Sequence, residues 1–154
     1  MTNRKVLLPY NFTRSDQKAL DFVICTFAKE SGVEITLFNS YIPLPDFKAS
    51  KSTVMERTAE SLRYLSQKIK EQENELKGVK LKLLQSGFSE KQIRYIYSPR
   101  KKDIASDIVC LATEGKFDLI VLNRVPGKVT RYFTRSIFIK AINALKGITV
   151  CIVS

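Results

Sequence analysis

The residues of this sequence that could do chemistry are mainly cations and hydroxyls, and they are concentrated in the segment 123–136. Arg124, Lys128 and Arg135 can bind anions through charge and hydrogen bonds. Ser136 follows them near the expected start of a helix, where backbone N–H groups are free. This set indicates an anion site, but solvated loop cations on a basic chain are an equally simple interpretation.

Conventional catalytic and metal-binding patterns are missing. The sequence has no histidine, which removes the commonest general base and the Ser/His and Cys/His pairs. Cys25, Cys110 and Cys151 occur singly in apolar patterns, so we expect them in the core and expect no metal site. No G-x-G-x-x-G follows the first apolar run and no P-loop motif exists, which argues against a dehydrogenase or a P-loop NTPase. We therefore predict that the protein is not an enzyme.

Length and charge narrow the class of protein further. The 154 residues suit one domain spanning 1–154, and 26 Lys and Arg against 15 Asp and Glu give a net charge of +11. That surplus attracts nucleic acids, acidic partners or phosphorylated ligands alike, but no RNA-recognition pattern supports specific nucleic-acid binding. No signal peptide and no run of roughly 18 apolar residues is present, so we expect a cytoplasmic protein without a membrane segment.

Hydrophobic patterning predicts the order β-α-β-α-β-α-β-α-β. The predicted strands cover residues 5–8, 33–38, 93–97, 118–122 and 148–153. The second helix, 53–86, is unusually long and contains Gly78 as a potential bend, while Gly32, Gly115 and Gly147 are expected to end the other helices. Strict alternation with helical connections predicts right-handed crossovers and a three-layer α/β/α, Rossmann-like fold with a parallel sheet.

The ligand site of such a sheet lies beyond the carboxyl ends of the strands, where the strand order reverses. If strand one is that point, the loop after it faces the loop after strand four. The candidate ligand-binding residues come from these loops and adjacent positions: Pro9, Tyr10, Asn11, Phe12, Thr13, Ser40, Leu122, Asn123, Arg124, Gly127, Lys128, Arg135, Ser136 and Ile137. The basic run 100–102 follows strand three at the same edge.

Several stretches of the chain resemble the universal stress proteins (UspA-like): KVLLPYNFTRSDQKALDF, EITLF, FDLIVLNR, RSIFIKAINAL and TVCIVS. The most specific are the opening Pro9-x-x-Phe12-Thr13 and the strand 118–121 with its long following loop. The middle, 41–97, matches only in the order of elements. The resemblance implies strand order 3-2-1-4-5, a role in stress response and a homodimer formed through the last strand, with Ile148, Val150 and Ile152 at the interface.

Many universal stress proteins bind ATP through an aspartate after strand one and a phosphate loop of the form G-x-x-G-x9-G-[ST]. In this sequence Asn11 takes the place of the aspartate, and Asn123, Pro126 and Arg135 take the places of the glycines. Ser136 remains as the hydroxyl, after an apparent one-residue deletion. Proline lacks an N–H and arginine is bulky, so the resemblance does not imply conventional ATP binding.

Three functions stay open at this point. The first is a non-catalytic regulatory dimer that does not hold ATP conventionally. The second is a sensor in which Asn11 hydrogen-bonds a base and the loop cations bind the anionic part of ATP, another adenine nucleotide or another phosphorylated small molecule. The third is non-specific nucleic-acid binding driven by net charge.

Overall fold

The fold is described from a computed structural model of the chain. It describes residues 3–44, 53–124 and 141–154, and within the long second helix the side chains from Ala59 onward. In that part of the chain no helix is long and apolar enough to cross a bilayer.

Strands and helices alternate in the predicted order. The strands are β1 (Arg4–Pro9), β2 (Val33–Tyr41), β3 (Ile93–Pro99), β4 (Leu119–Asn123) and β5 (Thr149–Val153). The helices are α1 (Arg14–Phe27), α2 (Thr53–Gln85) and α3 (Ile104–Glu114), with a short 3₁₀ turn (Glu90–Gln92) before β3. Residues 141–144, before β5, are also helical.

The five strands form one parallel sheet in the order β3-β2-β1-β4-β5. Val6 of β1 pairs with Ile35 of β2 on one side and with Leu119 of β4 on the other. The chain runs outward from β1 through β2 to β3, then crosses back to β4 and β5. The predicted fold class and strand order are confirmed, and the strand order reverses between β1 and β4.

Alternating side chains of the strands pack into two hydrophobic cores. On one face, Val6 and Leu8 pack with α1 and α2, which contribute residues such as Leu20. On the other face, Leu7 packs with Ile108 of α3. Burying each such aliphatic side chain stabilises the fold by about 1.5–3 kcal/mol. Helices cover both faces, so the functional groups are left to the ends of the strands.

Several boundaries differ from the sequence-based expectation. β2 and β3 stay paired from Ile35 opposite Ile93 to Tyr41 opposite Pro99, so both strands outlast their apolar runs. α1 ends at Phe27, and Gly32 precedes β2 instead of ending the helix. Gly32 instead extends the pairing of β1 and β2, because its carbonyl accepts a hydrogen bond of 2.8 Å from the backbone N–H of Arg4.

α2 is continuous over 33 residues and is not divided at Gly78. A single glycine costs a helix only about 1 kcal/mol, which the packing of α2 on the sheet readily offsets.

The cysteine prediction is wrong for two of the three residues. Cys25 and Cys110 are exposed and Cys151 is half-buried. The first two lie at the border of the apolar stripes of α1 and α3, where periodicity does not separate core from surface. The thiol of Cys110 donates a hydrogen bond of 3.3 Å to Glu114, and this bond raises the pKa of Cys110.

Candidate functional site

The carboxyl ends of β1, β2 and β4 bring part of the predicted site together. The described members are Pro9, Tyr10, Asn11, Phe12, Thr13, Ser40, Leu122, Asn123 and Arg124. Gly127, Lys128, Arg135, Ser136 and Ile137, and with them Pro126, lie outside the described residues. Leu122 is a core residue on the α3 face of the sheet, while Arg124 is exposed at the end of β4.

The turn after β1 is rigidly built. Phe12 adopts the left-handed backbone conformation, with φ of 61°. Its ring packs edge-on against that of Tyr10, with the ring centroids 5.3 Å apart. Thr13 then caps α1 in a capping box with Asp16. Burial raises the pKa of Tyr10, and the carboxylates of Asp16 and Asp21 add to the effect. The turn therefore presents a fixed surface at the end of the sheet.

Between β1 and β4 the switch point is filled by a buried polar network. The side-chain amide of Asn123 donates to one carboxylate oxygen of Asp16. The other oxygen accepts from the backbone N–H of Thr13 at 3.1 Å and from its hydroxyl at 2.6 Å. Asp16 is 0 % exposed and Asn123 is 2 % exposed. Within the described residues, the Oδ1 atom of Asn123 has no hydrogen-bond partner.

A second buried amide links β1 to β2. The Nδ2 atom of Asn39 donates to the carbonyl of Tyr10 at 2.7 Å and to Oδ1 of Asn11 at 3.3 Å. Sequence reasoning singled out neither Asn39 nor Asp16. The signals were an asparagine inside an apolar strand and the capping-box spacing of Thr13 and Asp16.

At the end of β2 and β3, Arg100 lies against Ser40. Its Nε donates to the Ser40 hydroxyl and its Nη2 to the Ser40 carbonyl, both at 3.4 Å. Its backbone N–H donates to the carbonyl of Tyr41 at 2.8 Å, which continues the pairing of the two strands. Arg100 is half-buried as a residue and forms no ion pair in the described part of the chain.

An aromatic pair flanks this end on the α2 side. The rings of Tyr41 and Tyr97 lie 4.8 Å apart. The hydroxyl of Tyr97 donates to the carbonyl of Ile69 in α2 at 2.7 Å. Burial, with smaller effects of Tyr41 and Glu73, raises the pKa of Tyr97 to about 12. The end of β3 is thus tied to the middle of α2.

The first turn of α3, at the same edge, is occupied by its own carboxylates. Asp103 accepts hydrogen bonds from the backbone N–H of Ser106 at 2.9 Å and from its hydroxyl at 2.8 Å. These bonds lower the pKa of Asp103. Asp107 accepts from the backbone N–H of Lys101 at 3.2 Å. The free backbone N–H groups at the start of α3 are therefore partly used. The carboxylates of Asp103 and Asp107 also place negative charge beside them.

The predicted dimer residues lie on or next to the outermost strand on the other side of the sheet. Ile148 and Val150 pack against the α3-side core, whereas Ile152 is 38 % exposed. β5 pairs with β4 along one edge. Its other edge is free in the described sheet.

Several solved structures have the same fold as this chain over nearly its whole length. The hypothetical protein MJ0577 has a TM-score of 0.65 at 18 % identity, covering 99 % of this chain and 96 % of that one. A universal stress protein in complex with cAMP has a TM-score of 0.56 at 15 % identity, covering 100 % and 98 %. The universal stress protein from Archaeoglobus fulgidus in complex with dAMP has a TM-score of 0.52 at 17 % identity, with the same coverage.

No protein-family model and no curated protein sequence matches this chain. The class defined by the sheet is an open parallel α/β fold with a switch point between β1 and β4. Within that class, the chain has the fold of the universal stress proteins.

Proposed function

We propose that this chain is a single domain, residues 1–154, that acts as a non-catalytic regulatory protein of the universal stress protein type. We further propose that it works as a homodimer in the cytoplasm and does not hold ATP in the conventional way of that family. The fold supports the type of protein. The absence of histidine from the sequence supports a role without acid–base catalysis at neutral pH.

The observation that carries the proposal about ATP is the position of Asn123. A glycine at the end of β4 would let backbone approach a phosphate group closely. Here a buried amide takes that space and is bound to Asp16. Inserting a phosphate chain would require breaking the buried hydrogen bond between Asn123 and Asp16, which is costly.

The proposal of a homodimer rests on β5. In the sheet formed by the described residues its outer edge offers unpaired backbone N–H and C=O groups, and the exposed Ile152 adds apolar surface beside it. Native mass spectrometry of the purified protein tests this point and the ATP point together. We expect the mass of a dimer without ATP. A monomer contradicts the homodimer, and retained ATP contradicts the proposal about the phosphate loop.

A matched pair of variants locates the interface. Ile152→Lys places a charge on β5 and should give a monomer. Ile142→Lys makes the same change at an exposed position (47 %) in the helical segment 141–144 and should leave the dimer intact. A dimer in both variants would exclude β5 as the interface.

A second function, sensing of an adenine nucleotide or another phosphorylated small molecule, is supported by the polar groups of the site. The half-buried amide of Asn11 lies at the end of the sheet beside that of Asn39, where it can hydrogen-bond a base. The comparison structures with cAMP and dAMP are consistent with such a ligand. Titration calorimetry with AMP, cAMP and ATP tests this function. Binding of AMP or cAMP is expected, and no heat with any of the three would reject it.

A further inference from the structure

We propose that Arg100 binds the anionic group of the ligand and that this group is a single phosphate held at the end of β2 and β3. The inference rests on the proposed sensing function and names the residue and the ligand class on which it depends. It places the anion contact two strands away from β4, whose loop holds phosphate in the family's ATP-binding members.

The first step concerns the helix ends at the carboxyl edge. A helix N-terminus is a ready anion site only while its N–H groups are unused. The capping box of Thr13 and Asp16 closes α1, and Asp103 and Asp107 occupy the first turn of α3. Each helix thus offers a carboxylate where an anion would have to sit. An anion at this part of the edge must be bound by a side-chain cation.

The second step selects the cation. The described cations at this edge are Arg14, Arg100, Lys101, Lys102 and Arg124, and all except Arg100 are exposed. The backbone of Arg100 is fixed to β2, and its guanidinium is oriented by Ser40. It forms no ion pair in the described part of the chain. Orientation before binding reduces the entropy that a side chain loses on binding.

The third step gives the ligand class. A guanidinium is planar and forms paired hydrogen bonds with phosphate or carboxylate oxygens. Both bonds to Ser40 are long, at 3.4 Å, so they orient Arg100 at little cost to its remaining hydrogen-bonding capacity. One such fork matches one phosphate group and not a chain of three. Asn11, half-buried just after the neighbouring strand β1, offers its side-chain amide to the uncharged part of the ligand.

The test is calorimetry on the full chain with three probes: AMP, adenosine and inorganic phosphate. Arg100→Gln should weaken AMP binding about tenfold or more, which is the size of a charge-assisted hydrogen-bond pair. Adenosine lacks the phosphate, so its affinity should not change. Inorganic phosphate tests whether the phosphate group is bound without the nucleoside. If inorganic phosphate binds, Arg100→Gln must weaken its binding as well.

Arg94→Gln is the matched control, because it removes the same charge from an exposed arginine at the other end of β3. It should bind AMP as the unchanged protein does. Arg100→Lys keeps the charge without the fork and should lose several-fold in AMP affinity. This milder variant also decides the question if Arg100→Gln does not fold.

The possible results separate the inference from the function beneath it. If the unchanged protein binds AMP and Arg100→Gln binds it equally well, the inference is overturned while the sensing function stands. If adenosine weakens as much as AMP, Arg100 has only a structural role and the inference is again overturned. If the unchanged protein binds none of AMP, cAMP and ATP, the sensing function itself fails. If it binds cAMP or ATP but neither AMP nor inorganic phosphate, the sensing function stands and the inference is overturned.

Discussion

The two halves of the sheet's carboxyl edge are built in opposite ways. At the β1 and β4 end, Asp16 and Asn123 are buried and bonded to each other, and Thr13 closes the network. At the β2 and β3 end, Arg100 is half-buried and oriented only by long hydrogen bonds to Ser40. The β1 and β4 end is therefore a closed polar network, whereas the β2 and β3 end presents an accessible cation, Arg100.

If Arg100 binds the ligand as proposed, this fold keeps its architecture while the position of its chemistry changes. The strand order and the two cores depend on apolar patterning, which residues at the strand ends hardly affect. Asn123 at the end of β4 brings a polar side chain into the interior, and Asp16 supplies the partner that allows its burial. Substitutions at the two ends should therefore differ in what they disturb: stability at the first, ligand binding at the second.

The largest effect on stability is expected for Asp16→Ala. The change removes the acceptor for Asn123 and for both Thr13 donors and leaves the buried Asn123 amide unsatisfied, and it should cost about 3–5 kcal/mol of unfolding free energy. Asp21→Ala, at an exposed carboxylate of the same helix, should cost less than about 1 kcal/mol. Urea unfolding measures both, and equal losses would show that the closed network does not stabilise the β1 and β4 end.

Asn123→Gly should have the next largest effect. It removes one charge-assisted hydrogen bond to Asp16, and we expect a loss of about 2 kcal/mol in urea unfolding. Removing the unpaired Oδ1 atom offsets part of the loss. The exposed Asn3, whose amide donates to Glu34, provides the control, since Asn3→Gly should change stability by only a few tenths of a kcal/mol. A variant at 123 as stable as the unchanged protein would contradict a structural role for this amide.

Tyr97→Phe tests the attachment of α2 to the β2 and β3 end. Loss of the hydrogen bond to Ile69 should cost about 1 kcal/mol. Because the pKa of Tyr97 is raised from 10.0 to about 12, its neutral form is favoured on folding. This stabilisation is fully present below pH 10 and is lost as the pH rises through 12.

Denaturant unfolding across the alkaline range checks this sign. The variant should lose less stability above pH 10 than the unchanged protein does. Tyr64→Phe, which removes a hydroxyl from an exposed ring of α2, is the control. The same alkaline loss in Tyr97→Phe would rule out Tyr97 as its source.

The smallest effect is expected for Gly78→Ala in α2. The helix is continuous at Gly78, and an added Cβ meets nothing within 4 Å, so the change should stabilise by about 0.5–1 kcal/mol. Gly115→Ala should destabilise instead, because its Cβ would lie 2.5 Å from a ring atom of Phe117. Thermal unfolding distinguishes the two. Destabilisation by Gly78→Ala would indicate that α2 needs a bend there.

The sequence predicts the sheet well because strand burial and helix spacing are local patterns. Leu7 and Leu8 alternate between the two cores as a short apolar run requires, and the order of the five strands follows. The limits of β2 are less predictable, since Asn39 and Ser40 stay in the strand through pairing with Tyr97 and Ser98, which is a long-range effect.

Much of the candidate site depends on such long-range contacts. Asn11, Ser40 and Asn123 could be selected because they end strands. The bond between Asp16 and Asn123 joins residues 107 positions apart, and that between Arg100 and Ser40 joins residues 60 apart. No local pattern specifies those partners, so the sequence predicts which edge is functional but not which end is closed.

The most direct test of this contrast is the ratio of AMP to ATP affinity in the unchanged protein, measured by calorimetry under one set of conditions. If the β1 and β4 end is closed and Arg100 binds a single phosphate, AMP should bind at least as tightly as ATP. ATP binding more than tenfold tighter than AMP, with that gain abolished by Arg135→Gln, would contradict the account, because it would mean that the loop after β4 holds a triphosphate.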